Sequence, residues 1–100
     1  QGIVCHGDEL PYVFNNPYDS AGKKHSFTQP EEQLAQLFGE YWTQFAAKRE
    51  PNPSPTSRKW LPYEQPSRNV LNLGKTVESQ SDPFKEICEL WDDIGYGPVK

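Results

Sequence analysis

The sequence is poor in the side chains that build a hydrophobic core. Apolar residues make up 34% of its 100 positions, whereas ordinary soluble domains contain about 45–50%. Ten prolines interrupt the chain and methionine is absent. Burial contributes ~25 cal/mol per Å² and must offset ~1.5 kcal/mol of conformational entropy per ordered residue. We therefore expect a fragment of a larger folded domain, because so few apolar residues do not favour an autonomous fold.

Other absences exclude whole classes of function. The net charge is −4 without a block of one sign, and the basic pairs Lys23-Lys24 and Arg58-Lys59 are too short for a nucleic-acid footprint. No run approaches the ~20 apolar residues of a membrane span. Two cysteines and two scattered histidines are too few for a metal site, and no cofactor is predicted. His25 lies among polar residues, which predicts a solvated loop histidine.

Aromatic residues are plentiful, at 13%, which argues against disorder. The clearest element is a helix from about Gln29 to Lys48. Thr28 and Glu31 match a capping box, and Pro30 suits a first helical turn. Apolar residues at helical spacing predict one core-facing side: Leu34, Leu37, Phe38, Tyr41, Trp42 and Phe45.

The remaining segments predict shorter elements. Pro51, Pro53 and Pro55 predict a stiff, exposed connector. The alternation in Asn69–Gly74 predicts a short edge strand. A last helix is expected to begin with Asp82 as its N-cap and Pro83 in its first position, and to end at Gly95. Its apolar side would carry Phe84, Ile87, Cys88, Trp91 and Ile94.

A segment that contains one histidine, His6, lies near the start of the sequence. The run Ile3–Cys5 is short and apolar, as in a buried strand, and His6 and Gly7 follow it. A histidine at the carboxyl end of a buried strand lies where an α/β sheet displays chemistry. Asp8 and Glu9 are expected in the first turn of a short helix, whose apolar side would carry Leu10, Val13 and Phe14.

The stretch from Gly2 to Phe14 resembles the histidine segment of the type-B carboxylesterase and cholinesterase family of α/β-hydrolases. That family has a glycine and small apolar residues, then His-Gly-x-Glu and an apolar stretch ending in Val-Phe. An Asn-Pro turn after a long helix and a Trp-Pro-x-Tyr-like stretch, matched by Lys59–Tyr63, extend the resemblance. It implies an α/β fold class, with residues 1–100 as the C-terminal part of one hydrolase domain: strand end and histidine loop, long helix, edge strand and terminal helix.

The resemblance also implies a chemistry. In those enzymes a serine on a Gly-x-Ser-x-Gly turn attacks an ester, and a histidine accepts its proton. His6 matches that histidine, whereas the serine motif does not occur in this sequence. The implied partners are therefore the rest of the domain, with its serine and acid, and an ester substrate. Glu9 is interpreted as a local anchor of the loop rather than as the triad acid.

The same resemblance bears on the cysteines and on location. Family members commonly bond a terminal-helix cysteine to one upstream, which implies an absent partner for Cys88. Cys5 is expected as a buried free thiol, and a Cys5–Cys88 bridge is the alternative. A secreted or extracellular protein is implied.

Two other functions stay open. The segment His6–Phe14 also resembles neuroligins, which are adhesion proteins on this fold without esterase activity. A free-standing small binding module is the third hypothesis. The esterase reading is favoured because it gives His6 a role.

Overall fold

The computed structural model describes residues 3–18, 22–53 and 58–96. These residues form helices and one two-stranded sheet. No helix within the described ranges is long and apolar enough to cross a membrane. In chain order the elements are α1 (Leu10–Val13), α2 (Gln29–Lys48), β1 (Asn69–Asn72), β2 (Glu78–Ser81), α3 (Lys85–Trp91) and a π-helical turn (Asp92–Tyr96).

The long helix has the predicted bounds because its end signals are strong. At its start the Thr28 amide donates a hydrogen bond of 2.6 Å to Oε2 of Glu31, one half of the predicted capping box. At its end Arg49 adopts a left-handed conformation with φ +60°. The Arg49 amide donates to the Phe45 carbonyl at 2.8 Å. Lys48 in the last turn suits the helix dipole.

The buried side of α2 is narrower than predicted. Phe38 and Tyr41 are buried, whereas Trp42 is 42% exposed and Phe45 is 57% exposed. Ala35, which the prediction left out, is 1% exposed. Among the described elements α1 alone packs against α2. The predicted apolar arc is therefore covered on one side and open on the other.

An aromatic cluster ties α1, α2 and the segment after α2 together. The Tyr12 ring stacks on Phe27 at 5.4 Å between centroids and lies 6.0 Å from Phe38. Phe38 stacks on Trp42 at 5.0 Å. Trp60 meets Tyr41 edge-on at 5.5 Å and lies 6.0 Å from Trp42. These offset and edge-on geometries are the favourable ones for aromatic pairs. The aromatic cluster comprises Tyr12, Phe27, Phe38, Tyr41, Trp42 and Trp60.

The proline segment after α2 folds back instead of forming an exposed connector. Asn52 is half-buried, and its Oδ1 accepts a hydrogen bond of 2.6 Å from the Trp60 amide. Its Nδ2 donates to the Trp60 carbonyl at 3.1 Å. The prediction of an exposed connector is wrong for residues 51–53, because the Asn52 amide group satisfies both main-chain groups of Trp60. Pro55 lies outside the described residues.

The predicted edge strand forms one half of a hairpin. β1 pairs antiparallel with β2, with Asn69 opposite Ser81 and Asn72 opposite Glu78. The second strand was not predicted, because its sequence, Glu-Ser-Gln-Ser, contains no apolar residue. Leu71 on β1 is 6% exposed and is the one residue of the hairpin that is buried.

The last helix begins later than predicted. Asp82 has φ +46°, so Asp82 and Pro83 form a turn, and α3 starts at Lys85. α3 ends at Trp91, before the predicted end at Gly95; the π-helical turn follows it, and within that turn Gly95 has φ +91° and is non-helical. Arg68 lies 3.9 Å from Asp82 and 4.0 Å from Asp92. This arginine supplies the countercharge for an aspartate near the unfavourable end of the helix dipole.

The large side chains of α3 and its flanks are exposed rather than core-facing. Their exposed fractions range from 49% to 78%. The radius of gyration is 16.3 Å, compared with about 13 Å for a compact domain of this length. The chain is thus more extended than a domain that buries its own core. The exposed residues at this end are Phe84, Ile87, Leu90, Trp91, Ile94 and Tyr96.

Candidate functional site

His6 occupies the corner of a tight turn. The Asp8 amide donates to the Cys5 carbonyl at 3.2 Å, which places His6 and Gly7 at the two central positions. Gly7 has φ +90°, a conformation that glycine adopts without strain and that the third position of a type II turn requires. The sequence therefore bends at Gly7 and displays the histidine.

Asp8 closes the same turn a second time. The Cys5 amide donates a hydrogen bond of 2.7 Å to Oδ2 of Asp8. The predicted anchor, Glu9, is exposed, and its side chain makes no hydrogen bond within the described ranges. The prediction named the wrong carboxylate. Asp8 stands three residues after Cys5, where a short side chain reaches back to the amide.

The short helix α1, which follows the turn, packs through a different side chain than predicted. α1 begins at Leu10, so Asp8 and Glu9 precede it instead of filling its first turn. Leu10 is 51% exposed and Phe14 is 73% exposed, whereas Val13 is half-buried, so most of the predicted apolar side is open. Tyr12 packs instead, between Phe27 and Phe38. The single turn of α1 points that ring toward α2.

The predicted buried strand before His6 is not formed in this chain. Residues 3–5 are irregular, and Ile3 and Val4 are 87% and 89% exposed. Cys5 is exposed as well, so the prediction of a buried thiol is wrong here. A strand needs a hydrogen-bonding neighbour, and no described strand lies beside these residues.

The imidazole of His6 is exposed and makes no hydrogen bond to any described residue. It borders an open depression of about 560 Å³. A neutral imidazole in this state can accept a proton on one nitrogen and donate from the other. The Asp8 carboxylate is engaged by the Cys5 amide. The depression is lined by His6, Gly7, Asp8, Leu10, Pro11, Phe14, Asn16 and Tyr18.

The remaining candidate residues are His25 and the two cysteines. His25 is exposed in its loop, as predicted, and its amide donates to the Pro17 carbonyl at 2.7 Å. Cys5 and Cys88 are both free thiols, so the alternative Cys5–Cys88 bridge is not formed. Within the described ranges no group of His, Cys, Asp and Glu could hold a metal ion.

Two tyrosines of the aromatic cluster have raised pKa values. Burial is the main cause for Tyr12, and the nearby carboxylates of Glu31 and Asp8 raise its pKa further. Burial is also the main cause for Tyr41, where Glu40 raises the pKa and Arg58 lowers it. The Tyr41 hydroxyl donates to the Arg58 carbonyl. Both phenols are therefore uncharged at neutral pH.

A second depression, of about 890 Å³, lies between the C-terminal half of α2 and the segment after it. It was not predicted, although the Trp-Pro-x-Tyr stretch supplies part of its wall. Most of its lining is apolar, and its larger side chains are Tyr41, Trp42, Phe45, Trp60, Leu61 and Tyr63.

Comparison with known proteins identifies the family. The model of the carboxylesterase family matches residues 1–91, which include the turn at His6, both depressions and the hairpin. The chain belongs to the carboxylesterase family. The resemblance found in the sequence is thereby confirmed.

Individual carboxylesterase-family relatives agree. The chain is 34% identical to crystal protein of Dictyostelium discoideum over 96% of its own length and 18% of that protein. It is 31% identical to acetylcholinesterase 1 of Caenorhabditis elegans, over 95% of this chain and 14% of that protein. It is 45% identical to cocaine esterase of Homo sapiens, over 72% of this chain and 12% of that protein. The chain thus spans less than a fifth of the length of these relatives.

Proposed function

We propose that residues 1–100 are the C-terminal part of a single α/β-hydrolase domain that hydrolyses carboxylic esters, with His6 as its general base. Family membership supports the reaction class. The observation that carries the residue assignment is the state of His6: it stands at a turn corner, exposed, with neither ring nitrogen hydrogen-bonded to a described residue. Such an imidazole is free to meet a nucleophile and an acid from elsewhere in the domain.

The proposed reaction assigns His6 two proton transfers in each of its two half-reactions. A serine elsewhere in the parent protein attacks the ester carbonyl while Nε2 of His6 accepts the hydroxyl proton. His6 then gives that proton to the departing alcohol oxygen. Water repeats the sequence on the acyl-enzyme and releases the carboxylic acid. A carboxylate outside these residues would hold Nδ1–H and fix the tautomer.

The exposed apolar residues support the proposal that the rest of a hydrolase domain packs against this chain. Ile3 and Val4 stand before the turn without a neighbouring strand, and α3 presents its apolar side to solvent. Large apolar side chains exposed together on one helix, as on α3, are typical of a contact site. We assign the rest of the hydrolase domain to it. Secretion of the parent protein and a disulfide from Cys88 to a residue outside this chain stay predictions.

The test of the catalytic proposal is His6→Gln in the parent protein, assayed on a p-nitrophenyl ester. Loss of a triad member should lower kcat by ~10⁴-fold or more, while the thermal midpoint is unchanged. His25→Gln is the matched control, because His25 lies in an exposed loop, and it should stay within about twofold. Normal turnover by the His6 variant would remove the proposal.

The same experiment separates esterase from adhesion protein. The stretch His6–Phe14 also matches neuroligins, which favours a non-catalytic relative as the second candidate. A neuroligin-like parent would show no turnover in the wild type and no labelling by a serine-reactive organophosphate. An esterase would be labelled at one serine, and its activity would fall in proportion to the fraction of enzyme labelled.

A further experiment tests whether this chain needs the rest of the hydrolase domain in order to fold. The isolated chain should hydrolyse no ester and should melt over a broad range by circular dichroism, because few apolar side chains are buried. It should also bind the dye ANS, as exposed apolar surface does. A sharp cooperative transition would favour the free-standing binding module instead.

A further inference from the structure

We propose that Asp8 is a positioning residue for His6: its carboxylate holds the main chain on the N-terminal side of the histidine and thereby sets the direction of the imidazole. This inference rests on the proposed function of His6. It adds a residue that the sequence analysis passed over in favour of Glu9.

The first step is the double closure of the turn. Asp8 contacts Cys5 twice, once through its amide at 3.2 Å and once through its carboxylate at 2.7 Å. Both contacts fall on the peptide groups that flank Cys5. Because His6 lies between the two contacting residues, its main chain can rotate little without breaking one of them.

The second step is the difference between the two ends of the turn. On its C-terminal side the Leu10 amide donates to the Gly7 carbonyl at 3.1 Å. Tyr12 then fixes α1 to α2 through the rings of Phe27 and Phe38. On the N-terminal side Ile3 and Val4 are exposed, and no described strand holds them. Besides the Cys5 thiol, which donates to the Ile3 carbonyl at 3.7 Å, the Asp8 carboxylate is the described side chain that holds this end.

The third step is chemical. A hydrogen bond from an amide to a carboxylate is charge-assisted and shorter and stronger than a neutral one. The distance of 2.7 Å from the Cys5 amide to Oδ2 of Asp8 is of that kind. A displacement of a reacting group by ~1 Å can lower a rate by ~10²-fold. Asp8 therefore acts on the reaction through His6 and does not itself touch the reacting atoms.

The test uses three variants of the parent protein: Asp8→Ala, Asp8→Asn and, as matched control, Glu9→Ala. The number of competent sites is first counted by organophosphate labelling, so that loss of folded enzyme does not count as loss of rate. Asp8→Ala should lower kcat per labelled site by ~10- to 100-fold with KM within about twofold. Asp8→Asn keeps an oxygen that accepts from the Cys5 amide, so it should recover most of kcat. Glu9→Ala should behave as wild type.

A second readout does not depend on turnover. In protein labelled with ¹⁵N-cysteine, the Cys5 amide should exchange faster with solvent in Asp8→Ala than in the wild type, and Asp8→Asn should restore protection. If the wild type hydrolyses no ester but this pattern holds, the proposed function fails and the positioning role of Asp8 stands. Unchanged Cys5 exchange in Asp8→Ala would overturn the inference, and so would equal kcat in Asp8→Ala and wild type where the wild type hydrolyses the ester.

Discussion

The two halves of the chain differ in how their apolar side chains are used. In the first half α1, α2 and Trp60 share the aromatic cluster, and Ala35, Phe38 and Tyr41 are buried. In the second half the hairpin and α3 are formed, but neither packs against another described helix or strand beyond its own partner. Main-chain hydrogen bonds form in both halves, whereas Leu71 is the one buried apolar residue among the described residues of the second half.

This difference shows that local signals are enough to form an element and insufficient to bury it. Asp82 and Arg68 form turns with left-handed main chain, and Arg68 pairs with Asp82 and Asp92. Those polar contacts fix the local path of the chain. They leave Ile87 60% exposed, which is why we propose that the rest of the domain packs against α3.

The largest effect is expected inside the aromatic cluster. Phe38 is 8% exposed and contacts both Tyr12 and Trp42. Phe38→Ala should lower the free energy of unfolding of the parent protein by about 3–5 kcal/mol, because the cavity left behind adds to the lost burial. Urea unfolding followed by tryptophan fluorescence measures it. A loss below about 1 kcal/mol would show that the cluster is loosely packed.

The next largest effect is expected on α3, and it tests whether the rest of the domain packs against the second half of the chain. Ile87→Ala should cost about 2–3 kcal/mol in the parent protein if the rest of the domain packs on α3. In the isolated chain the same change should alter helix content little, because the side chain is already 60% exposed. Glu86→Ala on the same helix is the matched control. Equal, small effects of both variants in the parent protein would leave α3 exposed there and contradict the proposed cover.

The prediction from sequence succeeded where end signals and periodicity agree. Thr28, Glu31 and Pro30 mark the start of α2, and both of its bounds are confirmed. It failed at β2, because a strand of polar residues carries no apolar alternation. It also failed at Asp82, because the capping pattern Asp-Pro fits a turn as well as a helix start.

Around His6 the sequence predicted the wrong supporting residues, and the catalytic role of His6 stays a prediction. The sequence placed His6 at the end of a buried strand, whereas the turn at Gly7 and the exposure of His6 were found only in the structure. The loop is anchored by Asp8 and not by Glu9, because the side chain three residues after Cys5 reaches back to the Cys5 amide in this turn. The expected strand Ile3–Cys5 needs a partner strand, and a pattern of apolar residues cannot supply one.

A smaller effect is expected at the junction of the first half. The Asn52 side chain bonds both main-chain groups of Trp60 and also donates to Oε1 of Glu50, so Asn52→Ala loses three hydrogen bonds and should cost about 1–3 kcal/mol. Asn72→Ala is the control: its side chain donates one long bond of 3.4 Å to Thr76 in the exposed hairpin loop, and it should cost at most about 0.5 kcal/mol. Similar costs for the two variants in urea unfolding would mean that the folded-back segment contributes nothing to the first half.

The smallest effect concerns pH and again separates the halves. Tyr12 and Tyr41 have pKa values raised chiefly by burial, above the ordinary value of about 10. The native state therefore keeps protons that the unfolded chain releases, and this stabilisation is complete below about pH 10 and is lost as the pH rises through the raised native values.

Tyr41→Phe isolates this contribution. At neutral pH it should cost about 1 kcal/mol, because the hydroxyl no longer donates to the Arg58 carbonyl. Above about pH 10 the variant should lose less stability than the wild type, so the two unfolding curves converge. Urea unfolding at a series of alkaline pH values measures the convergence. Parallel curves would mean that the Tyr41 ring is as well hydrated as the ring of a tyrosine in the exposed half. The contrast in burial between the two halves would then fail at Tyr41, which is the most buried residue of the first half.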